Sequence, residues 1–348
     1  MPSSERTTMA EIAEQTGVSL STVSLVLRDK PGVGSDTRQR VLEVAKDLGY
    51  IPQKPTAAYA PTVKNLGLIL KADPDSIPQA NKFYSHVVAG IEMTCRRQQL
   101  NLLYATMTVD EDSYPLELPR LLIEDNTADG LLLVGALLDG VLAQVVERRS
   151  TPIVLVDAYA TSDVYDAVVS DNFGGAYQAV TFLIQQGHRH IGLVGSHGNA
   201  YPSIEERHNG YSRALKDHEI SERYVADCHI INPEETLAAT TDLLRRCPQI
   251  TAIFCVNDEG ALLAMDAARA LGRQVPDNLS LIGFDNIDLA SCVSPSLTTM
   301  HVDKIGMGRL GVQLLVNRIE HPETSPVRAA VRPRLIERNS VRALDQAP

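Results

Sequence analysis

Hydrophobic and polar positions change rhythm twice along the 348-residue chain. From Thr8 to Leu48 the apolar positions recur every three or four residues. Met9, Ile12 and Ala13 form one stripe, Val23, Val26 and Leu27 a second, and Val41, Val44, Ala45 and Leu48 a third. That is the spacing of amphipathic helices. Thr8 and Glu11 have the S/T-x-x-E spacing of a capping box, which predicts a helix start there. Gly17 stops that helix, because glycine takes the left-handed conformation without a Cβ penalty. Ser19 is placed to cap the second helix. The third is predicted from Ser35 to Leu48, ending at Gly49. Two short helices joined through Gly are shared by generic helical hairpins and by the helix-turn-helix, whose second helix enters the DNA major groove. The N-terminal position, the small polar outer face of helix two and the immediate third helix favour DNA binding.

Residues 50–65, YIPQKPTAAYAPTVKN, hold three prolines and little apolar content, so they read as a linker. From Leu66 short apolar runs alternate with helical periods. The predicted strands are LGLILKA, NLLYATM, DGLLLVG and PIVLVD, with helices at about 84–99, over LELPRLLIED and near 138–148. After Ala167 the alternation restarts. Strands HIGLVGS, CHIIN, AIFCVND and LSLIGFD alternate with helices GGAYQAVTFLIQQG, ERHNGYSRALKDH, ETLAATTDLLRRC and EGALLAMDAARALG. A strand and a long helix, LTTMHVDKIGMGRLGVQLLVNRI, follow. Strands alternating with helices imply parallel sheets covered on both faces. Two such units in tandem place a cleft between the carboxyl ends of their strands.

Charge separates the two parts. The first 64 residues carry eight Lys/Arg against seven Asp/Glu, a balance of +1, which leaves −12 of the net −11 on the remainder. An acidic body is expected to repel DNA while the small head tolerates it, with modest non-specific affinity. The five cysteines, Cys95, Cys228, Cys247, Cys255 and Cys292, lack C-x-x-C spacing and read as reduced thiols, neither a disulfide framework nor a zinc site. No apolar run approaches the ~20 residues that span a bilayer. The polar start MPSSERTTMAE lacks a signal-peptide core. A cytoplasmic protein without membrane contact is expected.

Several predicted strands end in polar residues: Asp157, Ser170-Asp171-Asn172, Asn257-Asp258 and Asp285-Asn286, while Glu206-Arg207 opens a predicted helix. Such residues either cap the next helix or face the cleft. Asn172 and Asp258 are the predicted caps. His188-Arg189-His190 follows a predicted helix stop at Gly187 and suits the negative helix end, so no metal role is expected. No phosphate loop, nucleophile elbow or GxGxxG occurs.

TMAEIAEQTGVSLSTVSLVL, followed by VGSDTRQRVLEVAKDLGYIP, combines A-x-x-x-GVS-x-x-TVS, T-R-x-x-V and LGY-x-P. In these motifs the chain resembles the lactose-repressor (LacI/GalR) family of bacterial transcription regulators, and the similarity runs almost to the C-terminus. The resemblance implies an all-α three-helix helix-turn-helix headpiece at 1–50, a hinge at 51–64 and a periplasmic-binding-protein-like α/β core at 65–348. That core has two doubly wound parallel-sheet lobes, the first about 65–167 and 299–328, the second about 168–298 and 329–348. It implies DNA contacts from Leu20, Ser21 and Leu25 to bases. Thr22, Ser24 and the backbone near Thr8 would position phosphates, and Ser19 is also implied among the DNA-binding residues. Tyr59 stands where a hinge helix wedges into the minor groove, with Gln53 and Pro55 departing from the family's pattern. It implies effector contacts from Phe83, Tyr84, Asp157, Arg207, Asn257 and Asp285, with Lys82 in place of the usual Pro.

The expected function is therefore a ligand-responsive repressor of sugar-utilisation genes, without cofactor or metal. It is expected to be a homodimer on a near-palindromic double-stranded operator, with a sugar or oligosaccharide as effector. The tail VRALDQAP has no leucine heptads, so no tetramerising helix is expected. A purine co-repressor or a phosphoprotein partner stays open within the family. A two-lobed sugar-binding protein of the periplasmic type and a sugar-converting α/β enzyme are the readings from other classes.

Overall fold

A computed structural model describes residues 8–27, 32–48, 50, 63–72, 81–110, 114–124, 127–196, 201–230 and 232–344. The chain divides into a unit up to Thr62 and a unit from Val63 to Pro348.

The first unit holds α1 (Met9–Thr16), α2 (Leu20–Leu27) and α3 (Ser35–Asp47). The capping box forms as predicted: Glu11 N donates to Thr8 Oγ1 at 3.4 Å, and Thr8 N donates to Glu11 Oε2 at 2.9 Å. Gly17 closes α1 with φ +66, the left-handed conformation that other residues adopt at a cost. Thr22 N donates to Ser19 Oγ at 3.1 Å. Ile12, Val23, Val26, Val41 and Ala45 bury together as a small core. The hinge positions Gln53, Pro55 and Tyr59 lie outside the described residues.

In the second unit the order is β1 (Asn65–Ala72), α4 (Tyr84–Gln98), β2 (Asn101–Thr108), α5 (Arg120–Ile123), β3 (Gly130–Val134), β4 (Leu137–Leu138), α6 (Gly140–Glu147), β5 (Ile153–Val156), β6 (Tyr159–Ala160) and β7 (Asp166–Ser170). There follow α7 (Asn172–Gln185), β8 (Ile191–Ser196), α8 (Pro202–Asp217), β9 (Tyr224–Asp227), α9 (Pro233–Arg246), β10 (Ala252–Cys255), α10 (Asp258–Ala270), β11 (Ser280–Asp285), α11 (Leu289–Cys292), β12 (Thr298–His301), α12 (Lys304–Glu320), β13 (Arg328–Val331) and β14 (Arg334–Ile336). One sheet has the order β13-β7-β5-β3-β1-β2 and the other β14-β12-β11-β10-β8-β9. All pairings in both are parallel except β12 with β14. The inner strands β3, β5, β7, β8, β10 and β11 are buried along their whole length and mostly apolar, as strands covered on both faces must be, whereas the edge strands β2, β9, β13 and β14 are partly exposed.

Strand pairing corrects the expected lobe boundaries. β7 pairs with β5, so the first lobe continues to Ser170 rather than ending at 167. β12 pairs with β11, so the second lobe holds the chain to His301. β13 pairs with β7, so the first lobe keeps the chain to Val331 rather than 328. The linker also ends earlier than expected. Val63 is fully buried, and Lys64 N donates to Asp129 Oδ2 at 2.6 Å. Two element assignments change as well. Helix α5 is a single turn because it starts only after extended Pro119, and the strand before α9 is YVAD, with CHIIN beyond it.

The chain crosses between lobes after β7, after β12 and after β13. Helix α12 follows the second crossing and packs on α4, β3, β5 and β7, so it belongs to the first lobe. Its contact with α4 is made by backbone. A Cβ on Gly308 would stand 2.2 Å from Val87 O, and one on Gly90 2.2 Å from Ile305 O. Only glycine permits that approach.

Candidate functional site

The carboxyl ends of the two sheets face each other across a cavity of about 190 Å³. Asp157 follows β5 and Asp285 ends β11, and both take left-handed backbone, with φ +47 and +103. Non-glycine residues hold such conformations only where their surroundings over-determine them, often at ligand clamps. All six expected effector residues, Phe83, Tyr84, Asp157, Arg207, Asn257 and Asp285, line this cavity.

From the first lobe, Tyr84 Oη donates to Asp157 Oδ2 at 3.0 Å, and the Phe83 ring stands edge-on to Tyr84 at 5.2 Å. Asp157 Oδ1 is buried with no hydrogen bond. Burial pushes the Asp157 carboxyl up to about 7, and the Asp285 charge adds to this, against the opposing pull of Arg207, Tyr84 and Lys71. Burial also raises the Tyr84 phenol, and the Asp157 charge adds to it.

From the second lobe, Arg207 projects from α8 and is 4% exposed. Its Nε donates to Asn172 Oδ1 at 2.9 Å and its Nη1 to Val256 O at 2.5 Å. The guanidinium lies 3.9 Å from the Phe284 ring centroid. Arg207 Nη2 stands 3.1 Å from Asp285 Oδ1, an ion pair by distance. Burial raises the Asp285 carboxyl, while Arg207 and Lys304 pull it down. Each lobe thus brings a buried carboxylate to the cavity, Asp157 with Oδ1 unengaged and Asp285 paired with Arg207.

The capping assignments are corrected by one residue each. Gly174 N donates to Asp171 Oδ1, not to Asn172, and Gly260 N donates to Asn257 Oδ1, not to Asp258. Asn257 therefore lines the cavity with its carbonyl engaged as a cap. Asn172 is fully buried, where its Nδ2 donates to Tyr159 Oη at 3.0 Å and its Oδ1 accepts from Arg207. Asp258 is fully buried and accepts from Ile287 N at 2.8 Å and Thr299 Oγ1 at 2.5 Å. The signal was present in the sequence, since a glycine stands three residues after each true cap. The same spacing recurs at Asp303, which accepts from Gly306 N.

Some lining residues carried no such signal. Tyr201 precedes α8 and shares its hydroxyl proton between Ala136 O at 3.0 Å and Asp157 O at 3.1 Å, so a second-lobe ring grips two first-lobe strand ends. Lys82 Nζ meets Glu259 Oε1 at 2.9 Å across the cavity mouth, which gives the departure at Lys82 a partner on the opposite lobe. His188 is buried. Its Nδ1 lies 2.9 Å from Thr251 Oγ1 and its Nε2 3.1 Å from Arg342 O, and burial lowers its pKa to about 4. Among the described residues no group of three or more His, Cys, Asp or Glu side chains could hold a metal.

In the first unit, α2 buries Val23 and Val26 and leaves Leu20 and Leu25 53% and 39% exposed. Ser21 is exposed beside them, with Thr22 and Ser24 half-buried. Ser19 Oγ lies 2.7 Å from Ser21 Oγ and 2.8 Å from Thr22 Oγ1. An exposed apolar pair flanked by hydroxyls can meet base edges and phosphate oxygens together. Among the described residues no helix is long and apolar enough to cross a membrane.

Residues 8–53 match the family model for bacterial regulatory proteins of the lacI family, and residues 180–341 match a periplasmic binding protein-like domain. The ribose operon repressor of Haemophilus influenzae is 31% identical over 97% of this chain and 99% of its own. The HTH-type transcriptional repressor PurR of Klebsiella pneumoniae is 30% identical over 96% of each chain. The solved complex of the transcriptional regulator CelR with cellobiose superposes with a TM-score of 0.68 at 27% identity, covering 96% of this chain and all of that one.

Proposed function

The chain belongs to the lacI family of bacterial regulatory proteins and is a ligand-responsive DNA-binding repressor, not an enzyme, and from that premise we propose that its effector is a small sugar bound between the lobes. The observation that carries this is the buried Asp157 Oδ1 of one lobe, which accepts no hydrogen bond, opposite the Asp285–Arg207 ion pair of the other. A buried acceptor without a donor is costly. A polyhydroxylated ligand supplies a donor to Asp157 and further hydroxyls to the Asp285–Arg207 pair, and Arg207 limits the charge repulsion between the carboxylates. The Phe83 and Tyr84 rings offer a face for the apolar side of a sugar ring. The cavity, at about 190 Å³, is below the ~300–1,000 Å³ usual for larger ligands.

The rest of the reading follows from the head and the family. The chain acts as a homodimer whose α2 helices enter successive major grooves of a near-palindromic operator, in the cytoplasm where that DNA lies. Leu20, Ser21 and Leu25 face bases, while Ser19, Thr22, Ser24 and the backbone at Thr8 meet the phosphate backbone. Ligand binding changes the angle between the lobes and shifts operator affinity by a coupling of about 1–3 kcal/mol. The genes controlled are those for using the sugar that binds.

Thermal shift across pentoses, hexoses, cellobiose and purine bases tests the effector class. A ligand at a hundred times its Kd should stabilise the chain by about 2.7 kcal/mol, and Asp157→Asn should cut this to about 1.4 kcal/mol or less. If purine bases raise Tm and no sugar does, the sugar reading is wrong.

A further inference from the structure

The turn that presents Asp285 to the cavity is strained and unusually well held. Asp285 and Asn286 are consecutive non-glycine residues at φ +103 and +52. The second lobe secures them through several groups. Asn286 N donates to Thr299 Oγ1 at 3.3 Å, and Ile287 N donates to Asp258 Oδ2 at 2.8 Å. Arg338 Nη2 donates to Asn286 Oδ1 at 2.7 Å, and Asn286 Nδ2 lies 3.0 Å from His301 Nδ1.

One tie has another origin. Lys304 Nζ donates to Asp285 O at 2.5 Å and to Asn286 O at 3.1 Å. Lys304 is 5% exposed and opens α12, the helix that packs on the first lobe. Its ammonium also lies 5.8 Å from the Phe83 ring centroid, within cation–π range. Helix α12 is joined to α4 by the backbone contact at Gly90 and Gly308, and Tyr84 is the first residue of α4. One buried cation therefore touches both the turn carrying the second lobe's carboxylate and the helix pair carrying the first lobe's aromatic wall.

We propose that Lys304 is a positioning residue, which holds the Asp285–Asn286 turn in its left-handed form and ties the presentation of Asp285 to the place of α4 and α12 in the first lobe. A buried ammonium has three donors and no acceptor, so two convergent carbonyls suit it and orient it. Movement of the turn when a ligand meets Asp285 is then transmitted to first-lobe helices through Lys304. This assignment rests on the cleft being the effector site.

The test uses the full chain as Lys304→Met, Lys304→Gln and Lys304→Arg, read by amide hydrogen exchange with and without D-ribose. Without ligand, Lys304→Met should speed exchange at 285–288 at least tenfold and also speed it at 83–86. Residues 252–255 of β10 should stay at the wild-type rate. Lys304→Gln, with a neutral donor, should fall between, and Lys304→Arg should restore the slow rates. Wild-type exchange at 285–288 in both Lys304→Met and Lys304→Gln overturns the assignment. So does acceleration spread evenly over the second sheet, which marks a general structural cation. Acceleration at 285–288 without any at 83–86 overturns the link between lobes. The ligand-free differences do not depend on sugar binding. If D-ribose and other sugars leave wild-type exchange around Asp157 and Asp285 unchanged, the cleft reading fails separately.

Discussion

Tyr84 Oη donates to Asp157 Oδ2 across 3.0 Å, while Oδ1 of the same buried carboxylate accepts nothing. The phenol supports the charged form of Asp157, yet burial prevails and the carboxyl titrates at about 7. The cleft thus holds a group whose charge changes near neutral pH. Ionised, it can only accept; protonated, it donates from one oxygen and still accepts on the other.

Affinity for a hydroxyl-bearing effector should accordingly rise between pH 6 and pH 8, as Asp157 ionises and both oxygens become acceptors. Asp157→Asn should bind at least tenfold more weakly, with most of the pH dependence gone. Isothermal titration at several pH values with the best sugar from the screen measures both. An affinity flat in pH for the wild-type chain would place the ligand away from Asp157.

The same shift has a consequence for stability. A carboxyl whose folded pKa is about 7 binds its proton more tightly folded than unfolded, where it titrates near ~3.9. The stabilisation from that proton is full below about pH 4 and is lost as pH rises towards 7. Asp157→Asn should therefore gain in Tm relative to wild type between pH 5 and pH 8. Asp258, also raised to about 7 mainly by burial, keeps part of the slope in the variant. A Tm difference independent of pH across that window would contradict the assignment.

Arg207 supports several buried groups at once. Arg207→Met leaves Asp285 without its ion-pair partner and removes donors from Asn172 Oδ1 and Val256 O. Removing one partner of a buried pair costs about 3–5 kcal/mol. Chemical denaturation should show a loss of that order, and Arg207→Met/Asp285→Leu should recover part of it. A loss below about 1 kcal/mol would mean that the pair is already solvated.

What could be read from the sequence, and what could not, divides by range. The three headpiece helices follow from local signals alone: the Thr8/Glu11 box, Gly17 and the i, i+3, i+4 stripes act within a few residues. Asp157, Arg207 and Asp285 were legible as strand-end or helix polar residues only together with the family resemblance. The lobe boundaries were displaced because β7, β12 and β13 choose their sheet by partners far along the chain, and no turn signal marks those choices. Tyr201 and Lys304 were missed for the same reason. A tyrosine before a proline and a lysine at the start of a helix look ordinary until the carbonyls they hold are brought in from the other lobe. Either member of an Asx pair can cap, so Asp171-Asn172 and Asn257-Asp258 are ambiguous by type, and only the glycine three residues on singles out Asp171 and Asn257.

The α4–α12 contact makes a prediction about packing. A Cβ on Gly308 would meet Val87 O at 2.2 Å and Ile91 N at 2.9 Å, both backbone atoms that no rotamer change can clear. Gly308→Ala should force the helices apart at a cost of about 1–3 kcal/mol. It should also weaken the effector response, because α4 carries Tyr84. Wild-type stability and response in this variant would show that the helices have room to separate.

Leu25 concerns the DNA face alone. It lies on the outer side of α2, 39% exposed, with Leu20 at 53%, while Val23 and Val26 hold the opposite side in the small core. An apolar side chain in the major groove favours a thymine methyl, whereas Arg donates two hydrogen bonds to guanine O6 and N7. Leu25→Arg should therefore move the preferred base at one symmetric pair of operator positions towards guanine, by about 1–3 kcal/mol of discrimination. Because Leu25 lies outside the small core formed among the described residues, Tm and the effector-induced shift should stay at their wild-type values. Selection from a randomised duplex pool with both proteins gives the comparison directly. Identical base preferences in the two pools would remove Leu25 from the groove, and with it the assignment of this face of α2 as the one that reads sequence.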